Sequence, residues 1–323
     1  MNDLLLTIVV PTYNHPEYIE YYLQQTACLD KFNIRLEIHD SSTNDETKKT
    51  VEKFSQEYKN LFYYRYDDIN VDLKTFLCLK NCQTKYVFLC GDGVILNLNE
   101  IYSKIHSFMK QDYDLIEFYD DINKKHINYY YDLARQYDKN EIVYDNLKLH
   151  VMDNYWHMPY YGGTIVKSEI FKKIVQDDVS NLIGTGFIYP YMICAYMDIN
   201  AKSVVLGGSY LIENIRKKAA IWLNNGMAVK IWAKQFPEVI EILPEEFNDI
   251  KRELILNSEK RLQFITFKGL CYFRVNNNYN LKIYNEFKKE LSRYSPLNKL
   301  TMCIIAIFPK WILRIIRAVK NRK

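Results

Sequence analysis

The sequence predicts an α/β domain with a mainly parallel sheet, followed by a helical module. Residues 4–10 (LLLTIVV) form a continuous apolar run, which is typical of a strand buried on both faces. Further apolar runs alternate with helical patterns, and this alternation indicates βαβ units. Strand patterns disappear after about Ala219, and helical patterns continue to Tyr294. We therefore expect one domain at residues 1–212 and a helical module at residues 213–296.

The first strand is expected to end at Pro11, because proline has no N–H to give to the ladder. The chain then turns through Thr12, Tyr13 and Asn14. A helix is predicted from Pro16, since proline and an acidic residue favour the first helical turn. In open α/β sheets, ligands bind beyond the carboxyl ends of the strands. This turn is therefore where we expect a ligand to be held.

The elements that follow repeat the alternation. A short strand at residues 36–38 leads to Asp40, and the spacing of Thr43 and Glu46 predicts a capping box at the start of a helix. The next elements are predicted in order as strand 61–65, helix 71–79, strand 86–89, helix 98–109 and strand 115–118. No G-x-G-x-x-G motif follows any strand, so a dinucleotide-binding domain is not expected.

Composition limits the class of protein. The chain has 323 residues, of which 48% are hydrophobic and 25% charged, as in globular proteins. Its seven cysteines are scattered and form no C-x-x-C pair, which argues against a zinc site or a disulfide framework and favours reduced thiols. Asp3 stands where a secretory signal would carry a basic residue. We therefore expect a cytoplasmic protein.

Basic charge is concentrated after Leu297, where seven Lys and Arg residues and no acid occur. Without these seven charges the net charge of +4 becomes −3 for the rest of the chain. A mildly acidic body argues against nucleic-acid binding.

The segment 297–323 is predicted to associate with a membrane surface. Residues 300–308 are apolar but about half the length needed to span a bilayer. Beyond Pro309, a basic helical face holds Lys310, Arg314 and Arg317, while Ile312, Ile315, Ile316 and Val319 take another face. This arrangement is typical of a helix in the interface of an anionic membrane. We expect the tail on the inner face of the cell membrane. The alternative is a terminal helix packed on its own domain.

Two segments, TIVVPTYNHPEYIEYYL and LEIHDSSTNDET, resemble the start of glycosyltransferase family 2, whose members have the nucleotide-sugar-binding GT-A fold. The family usually has Asp-Asp-Gly-Ser-Thr-Asp in the second segment. Here His39 replaces the first Asp and Ser41 the Gly, while Asp40 is kept. The resemblance covers roughly the first 210 residues, with a looser likeness to bacterial polysaccharide glycosyltransferases beyond them.

The resemblance implies a set of residues that bind the nucleotide. The uracil would be read by Asp40 and by the turn of Pro11, Thr12 and Tyr13, next to Asn14. A carboxylate at a strand end can accept a hydrogen bond from a base or ribose. The alternative for Asp40 is a cap or turn residue.

Asn70 and Lys74 follow the third strand on the same rim. Lys74 could meet a phosphate as a point charge, and solvated loop charge is the alternative interpretation.

The segment Gly91-Asp92-Gly93 falls where the family has its Asp-x-Asp metal motif. Cys90 replaces the first Asp, so only Asp92 remains. Carboxylate oxygens hold Mg²⁺ or Mn²⁺, which neutralises a diphosphate leaving group, and phosphates and water can complete the ligand set. The alternative is a β-turn aspartate between permissive glycines.

An aromatic loop at residues 153–164 is predicted to hold the acceptor sugar, because Trp156, Tyr160 and Tyr161 can pack on sugar C–H surfaces. The alternative is an aromatic cluster that packs beneath a long loop and binds no sugar. The family's catalytic base usually begins a helix after this loop. The corresponding helix, predicted at residues 184–194, has no carboxylate at its start. His157 and Asp153 are the remaining candidates for the base.

Together these features predict a membrane-associated inverting glycosyltransferase. By resemblance it would move a hexose or N-acetylhexosamine from a UDP-sugar to a lipid- or protein-linked glycan, in capsule or other bacterial surface polysaccharide synthesis. The alternative is a non-catalytic GT-A-like subunit that binds a nucleotide or glycan and supports a partner transferase.

Overall fold

The computed structural model describes residues 4–26, 31–118, 141–207, 211–214 and 225–320. Cys28 and the basic residues 322 and 323 lie outside these ranges. The chain divides into two compact units, residues 1–215 and residues 216–323. The six cysteines within the described ranges are free thiols.

The first unit alternates strands and helices. Its strands are β1 (Leu6–Thr12), β2 (Arg35–Asp40), β3 (Leu61–Arg65), β4 (Tyr86–Leu89), β5 (Val94–Leu96), β6 (Leu115–Phe118), β7 (Glu141–Tyr144), β8 (Thr164–Lys167), β9 (Ser203–Leu206) and β10 (Leu211–Asn214). Its helices are α1 (Pro16–Gln25), α2 (Glu46–Phe54), α3 (Val71–Lys80), α4 (Leu98–Lys110), α5 (Leu147–Asn154), α6 (Glu169–Lys172) and α7 (Ile188–Tyr196), with a 3₁₀ helix at Gln176–Leu182.

Eight of the described strands form one sheet in the order β3-β2-β1-β4-β8-β6-β9-β7. The first four strands of this order are parallel to one another. β8 runs antiparallel to both β4 and β6, and β7 runs antiparallel to β9. β5 and β10 form a separate antiparallel pair. The predicted mainly parallel sheet is confirmed, and the carboxyl ends of β1, β2, β3, β4 and β6 share one edge, which we call the carboxyl edge.

The prediction that the first strand ends at Pro11 is wrong, because β1 continues to Thr12. Val9 O accepts from Cys90 N on the β4 side (2.9 Å), and Thr12 O accepts from Ser41 N on the β2 side (3.3 Å). Alternate residues of the strand thus face alternate neighbours, which places Pro11 on the β4 side. Pairing with β4 ends at Val9, so the missing N–H of Pro11 costs no ladder bond.

The predicted capping box at Thr43 does not form. α2 begins at Glu46, and its N-cap residue Asp45 makes no side-chain capping bond. Thr43 instead donates from its backbone N (2.9 Å) and its hydroxyl (3.2 Å) to Asn14 Oδ1. Thr43 therefore connects the turn after β2 to the turn after β1.

Within residues 225–320 the second unit consists of helices and the turns that connect them. Its helices are α8 (Met227–Val229), α9 (Phe236–Glu241), α10 (Lys251–Leu262), α11 (Phe267–Val275), α12 (Leu281–Tyr294), α13 (Lys299–Ile307) and α14 (Lys310–Lys320), with a π-helical segment at Lys230–Gln235 and a 3₁₀ turn at Glu245–Phe247. α13 packs into this unit through Met302 and Ile305, which are buried. None of the helices in the described ranges is long and apolar enough to cross a membrane.

Candidate functional site

Two turns meet at the carboxyl edge, one after β1 and one after β2. Asn14 N donates to Ser42 Oγ (2.7 Å), and Asn14 Oδ1 accepts from Thr43. Asn14 has a φ of +53°, a backbone conformation that asparagine tolerates better than most residues. Between these anchors Tyr13 is 42% exposed. The predicted ligand turn therefore presents an exposed aromatic residue on a backbone held by hydrogen bonds.

Asp40 lies at the end of β2 and is fully buried. Its Oδ1 accepts from the backbone N of Ser42 (2.8 Å) and from the Ser42 hydroxyl, and its Oδ2 accepts from Tyr63 OH (2.8 Å) and Arg65 (3.0 Å). Burial raises the pKa of Tyr63 to about 12, with Asp40 adding to the rise, so Tyr63 is a donor at neutral pH. These bonds are typical of a turn residue that also pairs with a basic side chain, here Arg65. Contact of Asp40 with a nucleotide stays a prediction.

Lys74 lies beneath both turns and is 2% exposed. Its Nζ donates to Thr12 O (2.6 Å) and to Ser41 Oγ (2.7 Å). Burial lowers the pKa of Lys74, while the charges of Asp40 and Asp92 oppose that effect. Lys74 therefore ties the two turns together through its buried ammonium nitrogen, and its contact with a phosphate stays a prediction. Asn70 accepts from Asp72 N (2.8 Å) as the N-cap of α3.

Asp92 follows β4 and is almost fully buried. Its Oδ2 accepts from Thr12 Oγ1 (3.0 Å) and lies 2.9 Å from His15 Nδ1. Within the described residues no group of three His, Cys, Asp or Glu side chains could hold a metal ion. The oxygen ligand that Asp92 offers still suits Mg²⁺ or Mn²⁺, provided that phosphate and water oxygens complete the shell. A metal here would thus depend on the bound donor.

The aromatic loop before β8 lies beside Asp92. Because β8 runs antiparallel to β4, its first residue lies at the carboxyl edge. Gly91 N donates to Tyr161 O (3.3 Å), and Tyr161 OH lies 2.8 Å from Thr75 Oγ1. Trp156 is buried, and its indole donates to Asp153 O (3.2 Å). Trp156 is therefore a packing residue. This differs from the prediction that its ring packs on a sugar.

His157 contacts a buried carboxylate that sequence analysis missed. His157 Nδ1 lies 2.8 Å from Glu117 Oε1, and His150 Nε2 lies 2.8 Å from Glu117 Oε2. Burial acts to raise the pKa of Glu117, but its contacts with the two imidazoles lower it overall. The sequence signal was an acidic residue inside the otherwise apolar strand LIEF.

The other candidate base, Asp153, is exposed on α5, and its Oδ2 accepts from Tyr144 OH (2.9 Å).

The helix predicted at residues 184–194 begins later, at Ile188. Gly184 and Gly186 precede it with φ of +91° and +79°. Asp72, from α3, accepts from both glycine N–H groups through Oδ2 (2.7 and 2.9 Å), and its burial raises its pKa. The structure therefore brings a carboxylate to the start of this helix from a site more than one hundred residues earlier. Nothing in the local sequence pattern connects these positions.

Comparison with known proteins supports the fold. No protein-family profile and no curated protein sequence matches the chain. The structure of S. aureus TarS 1–349 is similar over 93% of this chain and 90% of that chain, with 14% identity and a TM-score of 0.60. The structure of the same protein in complex with UDP-GlcNAc is similar over 93% of this chain and 90% of that chain, with 13% identity and a TM-score of 0.57. The mannosyltransferase PcManGT from Pyrobaculum calidifontis, in complex with GDP-Man and Mn²⁺, is similar over 99% of this chain and 88% of that chain. Its sequence identity is 13% and the TM-score is 0.54.

At these identities the likeness is one of fold. It confirms the predicted class, an α/β GT-A-type domain followed by a helical region. Neither membership of glycosyltransferase family 2 nor a particular substrate follows from it.

Gly163 is expected to tolerate alanine poorly because a Cβ there would lie 2.5 Å from His157 Cε1. We predict that Gly163→Ala lowers the free energy of unfolding by ~1–3 kcal/mol, the usual cost of overpacking. Gly91→Ala is the matched control, since its Cβ would meet nothing closer than 3.5 Å. Urea unfolding measures both variants. Equal stability of Gly163→Ala and wild type would show that the His157 ring is not confined.

Proposed function

We propose that this chain is a glycosyltransferase of the family 2 type that takes its sugar from a UDP-sugar donor. The observation that carries the proposal is the convergence of three features on one sheet edge: the exposed Tyr13 turn, the Asp92 carboxylate and the His157 loop. Two structures with this fold contain UDP-GlcNAc and GDP-Man. A hexose or N-acetylhexosamine is the proposed sugar, and a lipid- or protein-linked glycan of bacterial surface polysaccharide synthesis, such as capsule, is the proposed acceptor.

The proposed reaction is a direct displacement with inversion. The acceptor oxygen forms a bond to the anomeric carbon while the bond from that carbon to the diphosphate oxygen breaks. UDP leaves with the electron pair, and the proton of the acceptor hydroxyl passes to a general base. His157 is the proposed base and Asp153 the alternative. His157 is favoured because its ring is anchored through Nδ1 to Glu117, whereas Asp153 is bonded to Tyr144.

Asp92 is the residue proposed to hold Mn²⁺ or Mg²⁺ together with the donor diphosphate. The metal would supply neutralisation of the charge that develops on the leaving group. Thr12 and His15 fix the Asp92 carboxylate on the protein side.

A non-catalytic nucleotide- or glycan-binding subunit is the second candidate. It is favoured by the internal hydrogen bonds of Asp40 and Lys74 and by the single acidic residue at the metal position. Slow donor hydrolysis without acceptor distinguishes the two candidates. We expect the wild type with Mn²⁺ to release nucleotide from at least one member of a panel of UDP- and GDP-sugars. Binding with no release above background from any member would instead support the subunit.

Tyr13→Ala is predicted to weaken UDP binding by ~1–3 kcal/mol, the range for loss of a base stacked on an aromatic ring. The fold should be unaffected, because Tyr13 is 42% exposed. Tyr64→Ala is the control, since Tyr64 is similarly exposed at 37% but lies on β3 outside the turn. Titration calorimetry with UDP measures both. Unchanged affinity in Tyr13→Ala would remove the turn from the nucleotide site.

Asp92→Asn is predicted to abolish metal-dependent nucleotide release while UDP binding without metal persists. The amide keeps the size of the side chain and a hydrogen-bond acceptor for Thr12, but it loses the charge that a hard cation requires. Nucleotide release measured across a Mn²⁺ titration tests this. A variant that follows the wild-type titration curve, or a wild type with no metal dependence, would contradict the assignment.

We further propose that the C-terminal helices bind an anionic membrane at the inner face of the cell membrane. Six large apolar side chains between residues 300 and 316 are 46–70% exposed: Leu300, Ile304, Ile307, Trp311, Ile315 and Ile316. Basic residues accompany them and no acid follows Leu297. Apolar area next to cationic charge suits an anionic lipid surface, where each Lys or Arg is worth about 1 kcal/mol. We call this the apolar–basic surface.

Point variants test the apolar–basic surface better than deletion, because Met302 and Ile305 of α13 belong to the core of the second unit. The double variant Trp311→Ser/Ile315→Ser should lose most co-sedimentation with phosphatidylglycerol vesicles at low salt. Phe267→Ser is the control, since Phe267 is 57% exposed elsewhere in the same unit. Added salt should also weaken wild-type binding. A wild type that stays in the supernatant at low salt would refute membrane binding.

A further inference from the structure

We propose that Glu117 is a positioning residue that holds the Nδ1–H of His157, so that Nε2 of the neutral ring takes the proton of the acceptor hydroxyl. This inference rests on the proposed function, and it assigns a role to a residue that the sequence patterns left out. It makes His157 the base in preference to Asp153.

The geometry places Glu117 where one carboxylate can orient the ring. Glu117 lies on β6 opposite Thr164 of β8, near the carboxyl edge, and is fully buried. Its Oε1 is 2.8 Å from His157 Nδ1. The His157 side chain is 13% exposed, so the ring bridges a buried anion and the surface of the edge. A carboxylate at Nδ1 fixes the tautomer in which Nε2 carries no proton.

Steric contacts confine the same ring. Gly163 leaves no room for a Cβ on one side of His157, where a methyl group would come within 2.5 Å of Cε1. The rings of Trp156 and Tyr160 lie 5.4 and 5.6 Å away, centroid to centroid. The imidazole is thus held by packing as well as by Glu117, which is what a base that must meet a bound hydroxyl requires.

Electrostatics supports a charged Glu117. A buried carboxylate is costly unless it is paired, and two imidazoles face this one. They lower the pKa of Glu117 although burial opposes them, so the residue is an anion at neutral pH. When His157 takes a proton, that anion stabilises the resulting imidazolium without any rearrangement.

His150 is the second partner of Glu117, and it offers a competing explanation. Its Nε2 is 2.8 Å from Glu117 Oε2 but is not aligned as a hydrogen bond. Glu117 could therefore serve only to fix α5 on the sheet through His150, with the His157 contact incidental. The two explanations differ in which histidine matters for turnover.

Nitrogen NMR of the ¹⁵N-histidine-labelled full chain tests the proposal without any activity measurement. His157 is assigned by the signal that disappears in His157→Gln. We expect the neutral ring of His157 to be protonated on Nδ1, with its proton shifted downfield by the carboxylate. A neutral ring protonated on Nε2 would overturn the proposal even if the protein proves to be an active transferase.

Glu117→Gln tests the consequence for turnover with the most active donor. We expect kcat to fall by ~10²–10⁴-fold, the range for loss of general-base catalysis, with the KM for the donor changed less than about threefold. His150→Gln is the control, and we expect a smaller fall in kcat, since it leaves the His157 contact in place. Wild-type kcat in Glu117→Gln, or equal losses in both variants, would overturn the proposal.

The experiments separate failure of the proposed function from failure of the role of Glu117. If the wild type binds donors but never releases nucleotide, the proposed function fails while the NMR result still decides the tautomer. If the wild type is active and Glu117→Gln does not fold, the tautomer and the kcat of His150→Gln decide the role of Glu117.

Discussion

The end of β1 is the constraint on which the rest of the site depends. Thr12 is its last residue, and three neighbours meet there: its carbonyl accepts from Ser41 N and Lys74 Nζ, and its hydroxyl donates to Asp92. These contacts connect the ends of β2 and β4 and the start of α3. They form only because β1 lies between β2 and β4 in register. A shift of β1 by one residue would exchange its buried faces and separate all of these groups.

Three buried carboxylates around the carboxyl edge each lie against a basic side chain. Asp40 meets Arg65, Asp92 meets His15, and Glu117 meets His157. An isolated carboxylate in such surroundings would cost several kcal/mol, so each of these contacts also holds the geometry of its turn. The carboxylates predicted to bind ligands are thus part of the framework of the site. Tyr13 is 42% exposed and the His157 side chain is 13% exposed, so both reach the surface of this edge.

Much of the fold could be predicted, and the reasons are local. Strands β3, β4 and β6 begin and end where the apolar runs 61–65, 86–89 and 115–118 do, since short apolar runs between turn residues have few other solutions. The two incorrect predictions each concern a single residue at the end of an element. Pro11 belongs to the strand because its neighbour on that side has already ended, and Thr43 bonds to Asn14 instead of capping α2. In both cases the outcome depended on residues that are distant in the sequence.

The sequence by itself determined the alternation of elements, the helical second unit, the position of Asp92 after a strand and the concentration of basic charge at the end of the chain. These properties are periodic or compositional. Burial of apolar surface is not directional, so it depends on where apolar residues occur in the sequence and not on a particular partner. Only the tertiary structure decided that Glu117 holds His157 and that Asp72 holds the loop of Gly184 and Gly186. Hydrogen bonds and ion pairs are directional and short. Their partners are therefore set by strand order and register, which bring together residues that are 40 and 112 positions apart in the chain.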